Sequence, residues 1–267
     1  MNKYFEDKLD SYGYTVNYCK WGTEGPKIVI LHSMGMDCHS MDLLCESLKD
    51  KYQLLSLTIL DHGDSDSPKR PIQVDEHAEI MRSCYLKLGF SPNILIGHSI
   101  GGRMGMILSA EYPKEIKGLI LVDIATSALG PSYATPQQRK EVFKNQDEMR
   151  NWIRNRYPMM DDYYLENRYK HGFVAVEGGF TKKPIGDVIR GAKWVDLWPY
   201  VNRITCPTLL ILGEKSTLVS PETQEMLKKT VTKLKIVTVK GASHMVPQDK
   251  PEDFEEHVKR FLEGLEF

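Results

Sequence analysis

The sequence predicts an α/β fold: a mostly parallel central sheet covered by helices on both faces, with one mainly helical insertion. Three observations lead there. Short, continuous apolar runs alternate with stretches of helical periodicity, which is the pattern of parallel strands buried on both faces and joined by helices. One such run, Asn93-Ile94-Leu95-Ile96, passes through Gly97-His98-Ser99-Ile100-Gly101-Gly102 straight into a helical stretch. From Thr126 to about Tyr200 the rhythm breaks, and the chain becomes charged and aromatic, with Trp152, Tyr163, Phe173, Trp194 and Trp198 among its residues. The expected division is therefore a core of residues 1–125 and 201–267 with a cap of residues 126–200.

The elements follow in order. Thr15 to Trp21 alternates as a strand, and Tyr12-Gly13 before it predicts a hairpin partner at the N-terminus, the two forming antiparallel edge strands. Lys27 to Leu31 is a fully apolar strand bounded by Gly25-Pro26, followed by the loop His32-Ser33-Met34-Gly35-Met36. Met41, Leu44, Cys45 and Leu48 share a helix face. The run Leu54 to Leu60 is the next strand and ends in the polar loop Asp61-His62-Gly63-Asp64-Ser65. Val74 to Leu88 reads as a helix stopped by Gly89, and the strand of Asn93 to Ile96 comes next. After the helix that opens at Ile100, strands are expected over Gly118–Ala125, Thr208–Gly213 and Leu234–Val239.

Composition narrows the function classes. The chain has 267 residues, 41% of them hydrophobic, and a formal net charge of −1 at pH 7. That length suits one large core, and the charge balance gives no electrostatic reason to expect nucleic acid or a membrane surface. A small-molecule partner and a cytoplasmic location are expected, since the first residues lack the order of a signal peptide and no apolar run is long enough to span a membrane. Cys19, Cys38, Cys45, Cys84 and Cys206 are odd in number and scattered, so reduced, buried thiols are expected. Cys38-His39 near His32 has no second ligand pair at a useful spacing, so neither metal nor cofactor is expected. His39, His77, His171 and His257 read as surface or cap residues.

The chemistry concentrates at Ser99. A serine between strand and helix is forced into a strained turn, and Gly97, Gly101 and Gly102 leave room for it. Its hydroxyl is held clear of the sheet, while the backbone N–H of Ile100 at the helix start faces any oxyanion formed beside it. Serine is a poor nucleophile unless an imidazole takes its proton, and His244, in the loop after the last strand, is placed to reach it.

The loop at His32-Ser33-Met34-Gly35, the Asp61-His62-Gly63-Asp64-Ser65 loop, the Ser99 elbow and Gly241-Ala242-Ser243-His244 together resemble the α/β-hydrolase fold superfamily over nearly the whole chain except the cap. The resemblance implies Ser99 as nucleophile, His244 as base, and the backbone N–H groups of Met34 and Ile100 as the oxyanion hole. Two positions depart from it: Ser33 stands where a Gly is usual, and the usual acid after the Thr208 strand is replaced by Ser216 and Thr217. The superfamily also places its acid at the end of the preceding strand, which selects Asp123, while Glu214 resembles a non-catalytic Glu. The implied activity is a serine esterase acting on a small or medium acyl ester. Thioester, C–C bond or cofactor-free lyase chemistry could use the same residues, and a non-catalytic binder of small ligands is the competing class. Epoxide hydrolases and haloalkane dehalogenases carry Asp where this chain has Ser99.

Overall fold

The computed structural model describes residues 4–124, 126, 142–186 and 195–265. Its centre is an eight-stranded sheet assembled from β1 (Phe5–Ser11), β2 (Tyr14–Trp21), β3 (Lys27–Leu31), β4 (Gln53–Leu57), β5 (Asn93–His98), β6 (Ile116–Val122), β10 (Thr208–Gly213) and β11 (Leu234–Val239). The spatial order is β1-β2-β4-β3-β5-β6-β10-β11. From β4 to β11 every pairing is parallel, while β1 and β2 are antiparallel. Of the two expected edge strands only β1 is one: β2 pairs with β4 on its other side, and its second half is buried there.

Side-chain alternation along the strands produces two cores. Val29, Leu31, Leu95, Leu119, Leu121 and Leu210 point to one face, where α2 (Val74–Lys87) and α3 (Ile100–Glu111) cover them with Met81, Tyr85, Met104 and Ile107. Ile28, Ile30, Ile94, Ile96, Ile120 and Ile211 point to the other, under α1 (Asp42–Leu48) and α9 (Pro251–Glu263), which contribute Leu44, Cys45, Phe254 and Val258. Both faces of the central parallel strands β3, β5 and β10 are thus dry, which explains why those strands read as apolar runs, while the edge strand β11 is half-exposed. All five cysteines are buried and free.

Between β6 and β10 the described part of the insertion holds α4 (Gln146–Arg156), α5 (Asp162–His171) and α6 (Trp198–Val201). It also holds a small antiparallel sheet, β7 (Val142–Phe143), β8 (Phe173–Val176) and β9 (Gly179–Lys182), in the order β7-β9-β8. At two to four residues, these strands are too short to register as strand runs. Trp152, Phe143 and Phe173 form the insertion's own cluster, while Trp194 lies outside the described residues. The insertion is tied to the core through α5. Arg168 pairs with Asp37 at 3.3 Å, Tyr164 Oη accepts from the Leu43 N–H at 3.2 Å, and Asn167 Nδ2 donates to Asp42 at 2.9 Å. The chain after β10 carries α7 (Pro221–Thr230), and α8 (Val246–Asp249) precedes α9. Among the described residues, no helix is long and apolar enough to cross a membrane.

Two histidines expected at the surface are in the interior: His77 on α2 is 0% exposed and His39 is 2% exposed. A lone histidine in a helical pattern carries no sign of which way it faces. Burial lowers His77 and His32 to about 4, because the imidazolium would have to leave water. In the unfolded chain both titrate near 6.5, so the unfolded state takes up protons first. Stability is complete above about pH 6.5 and is lost as pH falls toward 4, by about 1.4 kcal/mol per pH unit for each such histidine. Urea unfolding at pH 7, 6 and 5 should show this slope, and His77→Leu should make it shallower by one proton's worth. An unchanged slope in that variant would mean His77 already titrates normally.

Candidate active site

At the C-terminal ends of the central strands, backbone hydrogen bonds set the positions of the candidate residues. Ser99 follows β5 directly, and its N–H donates to the Val122 carbonyl at 3.0 Å. Asp123 follows β6, and its N–H donates to the Ile211 carbonyl of β10 at 2.9 Å. Both residues have positive φ, 52° for Ser99 and 43° for Asp123. For residues with a Cβ such backbones are strained, and they persist only where the surroundings hold them.

The surroundings of Ser99 are unusually close. A Cβ on Gly101 would lie 2.2 Å from the Leu31 carbonyl oxygen of β3. Only a glycine lets the first turn of α3 pass this strand end. α3 then begins at Ile100, whose N–H has no helical partner and is available at the helix's positive end. The Met34 N–H, in the loop after β3, makes no hydrogen bond among the described residues. Ser33 is buried in that loop, and Gly35 after Met34 takes the positive φ of 80° that turns the chain.

His244 arrives from the other side. Its loop follows β11, and a Cβ on Gly213 would lie 2.1 Å from the Ser243 carbonyl, so this loop also needs a bare backbone opposite it. Asp249 holds the loop, accepting from the Ser243 N–H at 2.8 Å and hydroxyl at 2.5 Å. His244 Nδ1 stands 2.6 Å from Asp123 Oδ2. With Asp123 ionised, Nδ1 carries the proton and Nε2 is left as the acceptor. Asp123 is 1% exposed, while the His244 side chain is 37% exposed on the solvent side.

Asp123, His244 and the end of β5 are therefore brought together from distant parts of the chain. The Ser99 hydroxyl is half-buried and holds no hydrogen bond among the described residues. Glu214 faces elsewhere, accepting from the Gly241 N–H at 2.8 Å.

Two residues that sequence reasoning did not assign complete the arrangement. Ser216 stands where an acid was sought, and its hydroxyl donates to Asp123 Oδ2 at 2.6 Å. The absent carboxylate left this contact as its only trace. His98, beside Ser99, turns from the hydroxyl and places Nε2 2.8 Å from the His244 carbonyl. Burial drives His98 far below the usual histidine range, so it remains a neutral donor linking the elbow to the His244 loop. No sequence signal distinguishes that role from a core histidine.

The loops His32 to Asp42 and Asp61 to Ser65 frame this edge. His32 is neutral and doubly bonded, its Nδ1 donating to the Ser33 carbonyl at 2.8 Å and its Nε2 accepting from the Ile59 N–H at 2.9 Å. The insertion returns over both loops at Gly186, whose N–H donates to the Asp61 carbonyl at 2.7 Å. A Cβ there would overlap Met34 Sδ and His62.

Comparison with known proteins agrees with this architecture. The family model of the alpha/beta hydrolase fold matches residues 26–159, and that of serine carboxypeptidases matches residues 213–264. A 2-(acetamidomethylene)succinate hydrolase of Mesorhizobium japonicum is 25% identical over 96% of this chain and 95% of that protein. An sn-1-specific diacylglycerol lipase of Mus musculus is 26% identical over 89% of this chain and 81% of that protein. Among solved structures, an E-2-(acetamidomethylene)succinate hydrolase superposes with a TM-score of 0.90 at 22% identity, covering 98% of this chain and 100% of that one. A thioesterase domain from the curacin biosynthetic pathway gives 0.85 at 20% identity, covering 97% and 100%.

The contact at Gly101 has a direct consequence for stability. Gly101→Ala should cost about 3 kcal/mol or more, because the Leu31 carbonyl is backbone and cannot swing aside. Gly264→Ala, whose added Cβ would lie 3.5 Å from its nearest neighbour, is the control and should leave the melting temperature nearly unchanged. Equal melting temperatures for the two variants would refute the close approach.

Proposed function

The chain belongs to the alpha/beta hydrolase family, and from that premise we propose that it hydrolyses carboxylic esters through an acyl-enzyme on Ser99. The observation that carries the proposal is the 2.6 Å contact of His244 Nδ1 with Asp123, at the strand ends beside a strained serine with a free hydroxyl. In this reading Ser99 Oγ attacks the ester carbonyl carbon and passes its proton to His244 Nε2. The carbonyl oxygen becomes an oxyanion, which the N–H groups of Met34 and Ile100 stabilise. The tetrahedral intermediate collapses, the C–O bond to the alcohol breaks, and the alcohol leaves with the proton from Nε2. Water, deprotonated by Nε2, then attacks the acyl-enzyme, and Ser99 recovers its proton as the acid leaves.

Asp123 keeps its charge throughout, holding the Nδ1–H tautomer and stabilising the imidazolium. Ser216 and His98 are positioning residues: one donates to the carboxylate, the other to the His244 carbonyl. The competing idea of a non-catalytic binder draws its strength from the missing acid after β10, and the contact of Asp123 with His244 supports the catalytic reading against it. In this reading the insertion between β6 and β10 is the cap that sets substrate size.

The relative named for 2-(acetamidomethylene)succinate raises amide cleavage in a dicarboxylate as an alternative. A dicarboxylate calls for a cationic partner, and Arg168, which reaches the loop bearing Met34, is already engaged by buried Asp37. A small or medium acyl ester, which needs no cationic partner, is the primary reading. A panel of p-nitrophenyl esters of graded acyl length, with 2-(acetamidomethylene)succinate alongside, decides the matter. Cleavage of the amide alone would overturn the ester reading.

Ser99→Ala should remove ester hydrolysis by about a thousandfold or more while circular dichroism stays unchanged. Asp123→Asn should lower turnover by roughly two to four orders of magnitude, and Glu214→Gln should be nearly silent. Ser216→Ala should fall between them, at about tenfold, from loss of one charge-assisted hydrogen bond. Steady-state kinetics on the best ester of the panel checks all four. A crippled Glu214→Gln with normal Asp123→Asn would reassign the acid.

A further inference from the structure

A second cluster of reactive side chains lies away from Ser99, where the β1-β2 hairpin meets the loop after β3. Glu6 comes from β1, Cys19 from β2, and Cys38 and His39 from the loop before α1. One carboxylate oxygen, two sulfurs and one imidazole nitrogen lie within 4.8 Å of one another. We propose that Glu6, Cys19, Cys38 and His39 form a structural site for a divalent zinc-class ion that clips the hairpin to this loop.

The distances fit such an ion. Cys19 Sγ and Cys38 Sγ are 3.2 Å apart, His39 Nε2 is 3.7 Å from Cys19 Sγ, and Glu6 Oε1 is 3.7 Å from His39 Nε2. The edges of a tetrahedron built on ordinary zinc bond lengths are about 3.3–3.8 Å, so the edges through His39 Nε2 already match and the two sulfurs have to part by about 0.5 Å when the ion enters. Two thiolates, an imidazole and a carboxylate make a closed, four-ligand set of the structural kind, and soft sulfur donors favour zinc over magnesium or calcium.

The next layer of contacts is also that of a metal ligand. His39 Nδ1 is 3.2 Å from Asp42 Oδ2, which fixes the tautomer that leaves Nε2 facing the sulfurs. Asp42 is itself held by Asn167 Nδ2 at 2.9 Å, and Asn17 Nδ2 donates to Glu6 Oε1 at 3.0 Å. Cys19, Cys38 and His39 are buried, while the Glu6 side chain is 36% exposed and supplies the entry side. Binding of M²⁺ forms two M–S bonds, one M–N and one M–O. The thiol protons, and any proton on Nε2, pass to solvent, and no oxidation state changes.

The probe is cobalt, whose thiolate complexes absorb where zinc is silent. Reduced protein, stripped with chelator and titrated with Co²⁺, should take up one equivalent with a thiolate-to-cobalt charge-transfer band that Zn²⁺ abolishes. Cys38→Ser should lose the band. Glu6→Gln, a milder change that keeps both thiolates, should weaken cobalt affinity about tenfold and retain the band at saturation. Zinc should raise the melting temperature of the wild-type chain by several degrees and of Cys38→Ser not at all. Circular dichroism verifies that each variant is folded. Absence of the band in wild-type protein at saturating Co²⁺ overturns the proposal, as does a band that survives removal of both thiols.

Discussion

The close passage of α3 across the end of β3 is the constraint on which the rest depends. β3 and β5 are neighbours in register, with Leu31 opposite Gly97, so the turn from β5 into α3 must fit against the Leu31 carbonyl. Gly101 makes the fit possible, and the geometry it enforces does three things at once. It holds Ser99 at a φ it would not otherwise adopt, brings the helix start to the edge where the loop bearing Met34 begins, and lays α3 over the leucine-rich face of the sheet. Stability and site geometry are one packing problem here, since α3 cannot move to relieve the turn without uncovering Leu95, Leu119 and Leu121.

The same economy of position explains how a carboxylate after β6 can face a histidine after β11. Adjacent strands are about 4.8 Å apart, and β10, which separates β6 from β11, ends in Gly213, with the small Ser216 in the turn that follows. The positive φ of Asp123 lifts its side chain across that gap. Such a backbone costs on the order of 1–3 kcal/mol. It is offset by contacts that converge on one buried carboxylate, from the His244 ring, the Ser216 hydroxyl and, at 3.5 Å, the Gly213 N–H. An acid in the more usual place would crowd the space Ser216 fills.

Much of this was legible in the residues. Lys27–Leu31 and Thr208–Gly213 are strands with the expected bounds, because strands dry on both faces must be continuously apolar, and the half-exposed edge strand Leu234–Val239 also has the expected bounds. The Leu54 to Leu60 run overreaches, since Thr58 to Leu60 are buried but leave the sheet before the Asp61 turn. Asp123 and His244, which the family resemblance picks out at strand ends, stand in contact. What failed to show was whatever depends on side-chain direction or on pairing across the chain. The strands around Phe143 and Phe173 are two and four residues long, below the length at which alternation becomes visible. Cys38 and His39 could not be joined to Cys19 and Glu6 from spacing, because the β1-β2 hairpin folds back onto the loop after β3 only in three dimensions.

That loop, His32 to Asp42, serves two purposes from its two ends. Met34 at one end lies at the site edge, and Cys38, His39 and Asp42 at the other lie against the hairpin. Between them Asp37 is buried against Arg168 of α5, and that guanidinium holds the Asp37 carboxyl below its ordinary range against the pull of burial. A buried ion pair adds little net stability over apolar packing, yet breaking one partner costs about 3–5 kcal/mol. Apolar contacts would tolerate sliding of the loop past α5, whereas paired charges and the Asn167–Asp42 hydrogen bond permit a single register. Polar ties therefore suit a segment whose backbone N–H must hold its place. The contacts that dock the insertion onto the core are thus also the contacts that fix the loop bearing Met34.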